Sequence, residues 1–160
     1  MRKINLEQER IYENANVNSD NMVRFKQRKY YYAVQLGTDL HNAHTLKEIK
    51  NKVVLEIGCS MGEMTRYYSK TAKFVHGCDI SDRAIEEALK TKTKNTDFMC
   101  CDAHKLPYSD ETFDIVIVNS ILHHLDLKIG LKEIKRVLKY NGKLSLKEPL
   151  GINPLYNFYR

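Results

Sequence analysis

The sequence predicts an α/β fold built on a mostly parallel sheet. Five short apolar runs alternate with stretches of helical period, and the links between them are short. One of the runs, FDIVIVN (113–119), has Phe113 followed by Ile115 through Val118, the composition of a strand covered on both faces.

Each element has its own warrant. Residues 1–50 are polar and irregular, with a loop signal in NANVNSDN (14–21). The spacing of Met22, Phe25, Tyr32 and Leu36 predicts a helix over about 22–37, and a second short helix is expected near 40–50. From Lys52 the texture changes. VVLEIG (53–58) reads as the first strand, KFVHGCDI (73–80) as the second and DFMCCD (97–102) as the third. FDIVIVN is the fourth and KLSLKE (143–148) the fifth. Helices are expected over 61–71, over 82–92 behind an N-cap at Ser81, and over 128–139 with Leu131, Ile134, Val137 and Leu138 on one stripe. Asn141-Gly142 reads as the stop of that last helix and a turn into the fifth strand. Pro149 and Pro154 make 151–160 a loop beyond it.

Composition narrows the class. One domain suits 160 residues, and 42% hydrophobic with 29% charged residues excludes wholesale disorder. No run is long and apolar enough to span a bilayer, and the charged N-terminus shows no secretory signal, so a cytoplasmic location is expected. Cys59, Cys78, Cys100 and Cys101 form no metal-binding spacing, each lies in or beside an apolar run, and they are expected to be buried thiols with no metal. The net charge of +6 is spread without a basic block or an aromatic-interleaved stripe, which argues against nucleic acid as the main partner.

Ligands of open α/β sheets bind beyond the carboxyl ends of the strands. Four features fall there. Glu56-Ile57-Gly58-Cys59-Ser60-Met61-Gly62 makes a strand-to-helix turn where glycine permits tight bends and close approach. Ser60 and Glu63 stand where a dinucleotide fingerprint beginning at Gly58 needs glycines, and Glu63 would repel a pyrophosphate. Asp79 ends the second strand, where a carboxylate accepts from both hydroxyls of a ribose. Asp102 ends the third; with the N–H of Ala103 it matches an adenine edge, and a solvated loop carboxylate matches it as well. Asn119-Ser120 closes the buried fourth strand and leads to His123-His124.

These residues resemble the class I S-adenosylmethionine-dependent methyltransferases of the small-molecule type. VVLEIGCSMGEMT is similar to the family's acidic-x-Gly-x-Gly-x-Gly loop, with Ser60 in place of the middle glycine. VHGCDIS resembles its second-strand acid motif, CDAHKLPYSDETFDIVIVNSILHHL its third loop and fourth strand, and LKEIKRVLKYNGKLSLKEPL its last helix, turn and fifth strand. The resemblance implies a Rossmann-like three-layer sandwich, S-adenosyl-L-methionine as cofactor, and methyl transfer to an O, N or C nucleophile of a small molecule. A cofactor-binding but catalytically incomplete module and an RNA methyltransferase are the alternatives. By resemblance, Glu56 sits near the cofactor's amino group, and Gly58, Cys59, Ser60 and Gly62 form the loop beside its methionine moiety. Asp79 binds the ribose and Ile80 packs on the adenine; Asp102 and Ala103 read the adenine edge; Asn119 faces the methyl.

If the acceptor must lose a proton, His123 or His124 is the candidate base. Residues 1–50, with Arg28, Lys29, Tyr30, Tyr31 and Tyr32, are expected to form a helical lid, and 51–150 the cofactor-binding core. The family's sheet has seven strands and five are recognisable here, so the domain is expected to be truncated. The edge of the fifth strand is then left for a partner or a second copy to cover.

Overall fold

The computed structural model describes residues 28–148 together with residues 7, 10 and 11, and of residues 28–37 the helical backbone alone. The side chains of Arg28 through Tyr32 and the whole of 151–160, on which the lid and terminal-loop expectations rest, lie outside the described residues.

Helix α1 (Arg28–Glu48) leads into β1 (Val53–Ile57), α2 (Glu63–Ser69), β2 (Phe74–Asp79), α3 (Asp82–Lys90) and β3 (Thr96–Cys100). Then come β4 (Phe113–Asn119), a 3-10 turn (Leu122–His124), α4 (Leu127–Val137) and β5 (Leu138–Lys147). The five strands run in the order β3-β2-β1-β4-β5 and every pairing is parallel. The chain winds outward from β1 to β3, then returns across β1 to start β4. The carboxyl ends of β1 and β4 therefore flank the topological switch point.

Alternation along the central strands sends side chains into both covering layers. Leu55, Ile57, Val116, Val118 and Phe113 pack with Ile134 and Val137 of α4, while Val54, Val75, Ile115 and Ile117 pack with Ile49, Tyr68 and Ala72. Ile115 through Val118 are all buried, as a strand between β1 and β5 requires. Ser81 caps α3 as expected, accepting from the Ala84 N–H at 3.0 Å. No helix among the described residues is long and apolar enough to cross a membrane.

Four expectations are corrected. The two N-terminal helices are one: α1 runs through Gly37 to Glu48, and its far end is held by buried Thr45 and Ile49. The α4 stripe excludes Leu131, which is 41% exposed; buried Gly130 takes its place, because a Cβ there would come within 3.0 Å of Leu125. Asn141-Gly142 does not stop α4, which ends at Val137. Leu138 pairs at once with Phe113, the next pair is Ile115 with Lys143, and Asn141-Gly142 sits in the bulge between them. Cys59 and Cys78 are buried, but Cys100 is exposed and Cys101 only partly covered, because β3 is the sheet's other outer strand.

Arg136 ties α4 to the segment between β3 and β4. Its Nε and one terminal nitrogen bond Glu133, and the two terminal nitrogens also reach the carbonyls of Leu106 and Tyr108 and the carboxylate of Asp110, at 2.7–2.9 Å. Glu133 Oε2 in turn accepts from the Leu106 N–H at 3.0 Å. These charge-assisted bonds hold a loop that has no ladder of its own.

Ile117 is fully buried at the centre of the sheet and Tyr140 is 90% exposed in the bulge. Ile117→Ala is expected to cost about 2–5 kcal/mol in urea unfolding, and Tyr140→Ala no more than about 0.5 kcal/mol. Equal costs would contradict this placement of the core.

Candidate functional site

The turn from β1 into α2 is built by three residues in the left-handed region: Gly58 (φ 78°), Ser60 (φ 47°) and Gly62 (φ 77°). Gly58 and Gly62 admit nothing larger, since a Cβ would come within 2.3 Å of Ile121 and 2.4 Å of Phe98 respectively. Ser60 bears the left-handed conformation with a side chain, at a cost of about 1–2 kcal/mol. The N–H groups of Gly58 and Cys59 both reach the Cys78 carbonyl, at 2.8 and 3.0 Å, which clamps the turn onto β2.

That clamp brings the sequence-predicted residues of β1 and β2 together. Asp79 Oδ2 accepts from the Ser60 N–H at 2.8 Å and Oδ1 from the Ser81 N–H at 2.9 Å. The Ile80 N–H adds a third backbone donor to the same carboxylate. Burial raises the Asp79 pKa despite these donors. Glu56 is 3% exposed and has one bond, from the Thr65 hydroxyl at 2.5 Å. Burial, reinforced by the nearby Asp79 charge, pushes its pKa up to about 7. Among the described residues neither acid has an ion-pair partner. Burial, with Glu56 close by, also pushes the Tyr68 phenol up to about 12.

Asn119, at the end of β4, donates through Nδ2 to the Tyr68 hydroxyl at 3.4 Å. Its Oδ1 is buried with no hydrogen-bond partner among the described residues. The His41 ring of α1 lies beside it, outside hydrogen-bond geometry; burial and Lys147 lower the ring's pKa, against a smaller raising by Asn119. An orphaned acceptor at the mouth of a sheet suits a ligand that brings an N–H or O–H.

Asp102 stands apart from this group, after β3. Its Oδ1 takes both the N–H and the Nδ1 of His104, at 2.8 and 2.7 Å, leaving Oδ2 without a partner among the described residues. Ala103 is nearly buried beside it, and Ile80 follows Asp79, its carbonyl near the Cys100 thiol. His123 and His124 lie against each other in the turn after β4, their rings tilted by 43° with centroids 4.0 Å apart. Sequence reasoning missed Glu148 and His104. The Nε2 of His104 accepts from the Asp126 N–H at 2.9 Å, which joins the Asp102 loop to the start of α4. Glu148 bonds the turn that carries His123. Its position at the end of β5, matching Asp79 at the end of β2, was the available signal. An open groove of about 730 Å³ lies elsewhere, between α2 and the segment entering β3, lined by Arg66, Lys70, Lys94 and their neighbours.

Residues 55–146 match the family described as a methyltransferase domain. The chain is 31% identical over 121 residues to the demethylmenaquinone methyltransferase of Thermotoga maritima, covering 70% of this chain and 52% of that one. It is 33% identical over 100 residues to the probable tRNA methyltransferase 9B of Mus musculus, covering 59% and 21%. The crystal structure of an S-adenosylmethionine-dependent methyltransferase from Aquifex aeolicus superposes with a TM-score of 0.55 at 28% identity, covering 61% of this chain and 58% of that one. The chain spans about half the length, or less, of curated relatives it matches.

The raised Glu56 pKa fixes the sign of a pH effect. The folded state keeps a proton that the unfolded chain releases near 4.5, so this group's contribution to stability falls as pH rises from about 4.5 to about 7 and is level above that. Glu56→Gln is expected to remove that fall, worth roughly 3 kcal/mol between pH 5 and pH 8, in urea unfolding at the two pH values. An unchanged difference in the variant would refute the assignment.

Proposed function

The chain belongs to the class I S-adenosylmethionine-dependent methyltransferases, and we propose that it transfers a methyl group to an oxygen, nitrogen or carbon nucleophile of a small molecule. The observation that carries this reading is the pair of acids at the switch point, buried Glu56 and half-buried Asp79, neither of which has an ion-pair partner among the described residues. A ligand with an ammonium group and a sugar diol supplies what both lack. Glu56 gains an opposite charge, and the remaining acceptor capacity of the Asp79 carboxylate gains donors.

When bound, S-adenosylmethionine supplies a methyl on a sulfonium, activated for in-line displacement. The chain's own residues bind and align. Gly58, Cys59, Ser60 and Gly62 let the backbone approach the methionine moiety, and Glu56 receives its amino group. Asp79 holds the ribose, Ile80 packs on the adenine, and Asp102 Oδ2 with the Ala103 N–H reads the adenine edge. Asn119 Oδ1 lies at the reacting end. Holding the reactants in line can supply about 7–11 kcal/mol of the barrier. A small-molecule acceptor is supported by the evenly spread charge and by the relative named for demethylmenaquinone. A partner or second copy would cover the outer edge of β5, where Leu144 and Leu146 are partly exposed beside Lys143 and Lys147.

Calorimetry with S-adenosylmethionine is expected to show binding by the wild type and a loss of at least about tenfold in Asp79→Ala, the equivalent of one charge-assisted bond. Full affinity in the variant would refute the ribose assignment. Release of S-adenosylhomocysteine is expected with a metabolite extract; release with bulk RNA alone would replace the small-molecule reading with an RNA one.

A further inference from the structure

We propose that His123 is the general base of the transfer and that Glu148 is the positioning residue that aims it, which makes the acceptor a group that must lose a proton, a hydroxyl or an ammonium. This rests on the methyl-transfer reading above. Glu148 commits both carboxylate oxygens to one turn. Oε1 accepts from the Ile121 and Leu122 N–H groups at 2.7 and 2.8 Å, and Oε2 pairs with His123 Nδ1 at 2.7 Å. The Glu148 side chain is 18% exposed, so these bonds are partly shielded from water.

Two consequences follow. The turn after β4 cannot swing relative to β5, and the His123 proton is held on Nδ1, which leaves the Nε2 lone pair as the basic site. The ring is 48% exposed, at the carboxyl end of the sheet and four residues after Asn119. His104 shows the contrast. It too pairs with a carboxylate, but its Nε2 already accepts from the Asp126 N–H, so both of its nitrogens are spent on structure. His76 is enclosed by Phe74, Tyr108 and Phe113. In the proposed step the acceptor's lone pair, present on a hydroxyl oxygen and freed on an ammonium nitrogen by loss of its proton, forms the new bond to the methyl carbon. The carbon–sulfur bond breaks with its electron pair going to sulfur, and the acceptor's proton passes to His123 Nε2 and then to solvent.

Glu148→Gln separates aiming from scaffolding. The amide oxygen can still accept from Ile121 and Leu122, while the amide N–H now faces Nδ1 and drives the ring proton to Nε2. Nitrogen NMR of ring-labelled protein is expected to show His123 protonated on Nδ1 in the wild type and on Nε2 in the variant. S-adenosylmethionine affinity is expected to stay within about threefold, less than the loss of one ordinary hydrogen bond. Release of S-adenosylhomocysteine with a metabolite extract is expected to fall about 100-fold or more, both in this variant and in His123→Asn. An unchanged tautomer in Glu148→Gln, or undiminished release in His123→Asn, would overturn the proposal. A folded wild type that does not bind S-adenosylmethionine would instead overturn the transferase reading.

Discussion

A carboxylate taken out of water must find donors or give up its charge, and the carboxyl end of this sheet is arranged around two that face that choice. Asp79 recruits backbone N–H groups, one of them from Ser60. That N–H reaches β2 only because the β1–α2 turn passes through the left-handed region three times within five residues. Among the described residues Glu56 finds only the Thr65 hydroxyl, and it keeps its proton to about neutral pH. Room for that arrangement comes from Gly77, the strand partner of Glu56, where a Cβ would strike Phe98, Thr65 and Cys59. The parallel register, the glycine positions and the electrostatics of the cleft are thus one constraint.

Much of this was legible in the sequence. The α/β class, the five strands and the Ser81 cap follow from apolar runs, helical spacing and side-chain chemistry, and the structure bears them out. The clustering of Glu56, Asp79 and Asn119 at one end of the sheet also follows from strand ends alone, since parallel strands place their carboxyl ends side by side. What was not legible depends on tertiary anchors. Nothing local says that α1 continues past Gly37; buried Thr45 and Ile49 decide it. Asn141-Gly142 has the chemistry of a turn, but hydrogen bonding of β5 to β4 begins before it and turns it into a bulge. Glu148 and the Asp126 contact of His104 were missed because the partners lie 22 to 27 residues away in sequence.

Ser60 shows how a departure from a motif reads once its backbone is known. A glycine at that place is a statement about φ, and this chain keeps the φ while spending conformational energy to hold a hydroxymethyl group there. The N–H that serves Asp79 is unchanged by the exchange, so the electrostatic function of the loop survives the loss of the glycine.

Arg136 bears on how this sequence can drift. All five N–H directions of a guanidinium are matched here by carboxylates and carbonyls from Leu106, Tyr108, Asp110 and Glu133. A lysine offers three donors around a single nitrogen and cannot address acceptors spread across that arc. The chain carries lysine freely over its exposed surface, yet this one cation is not exchangeable for another. Among descendants of this gene, a charge-preserving replacement at position 136 would be purged while many charge-altering ones elsewhere persist.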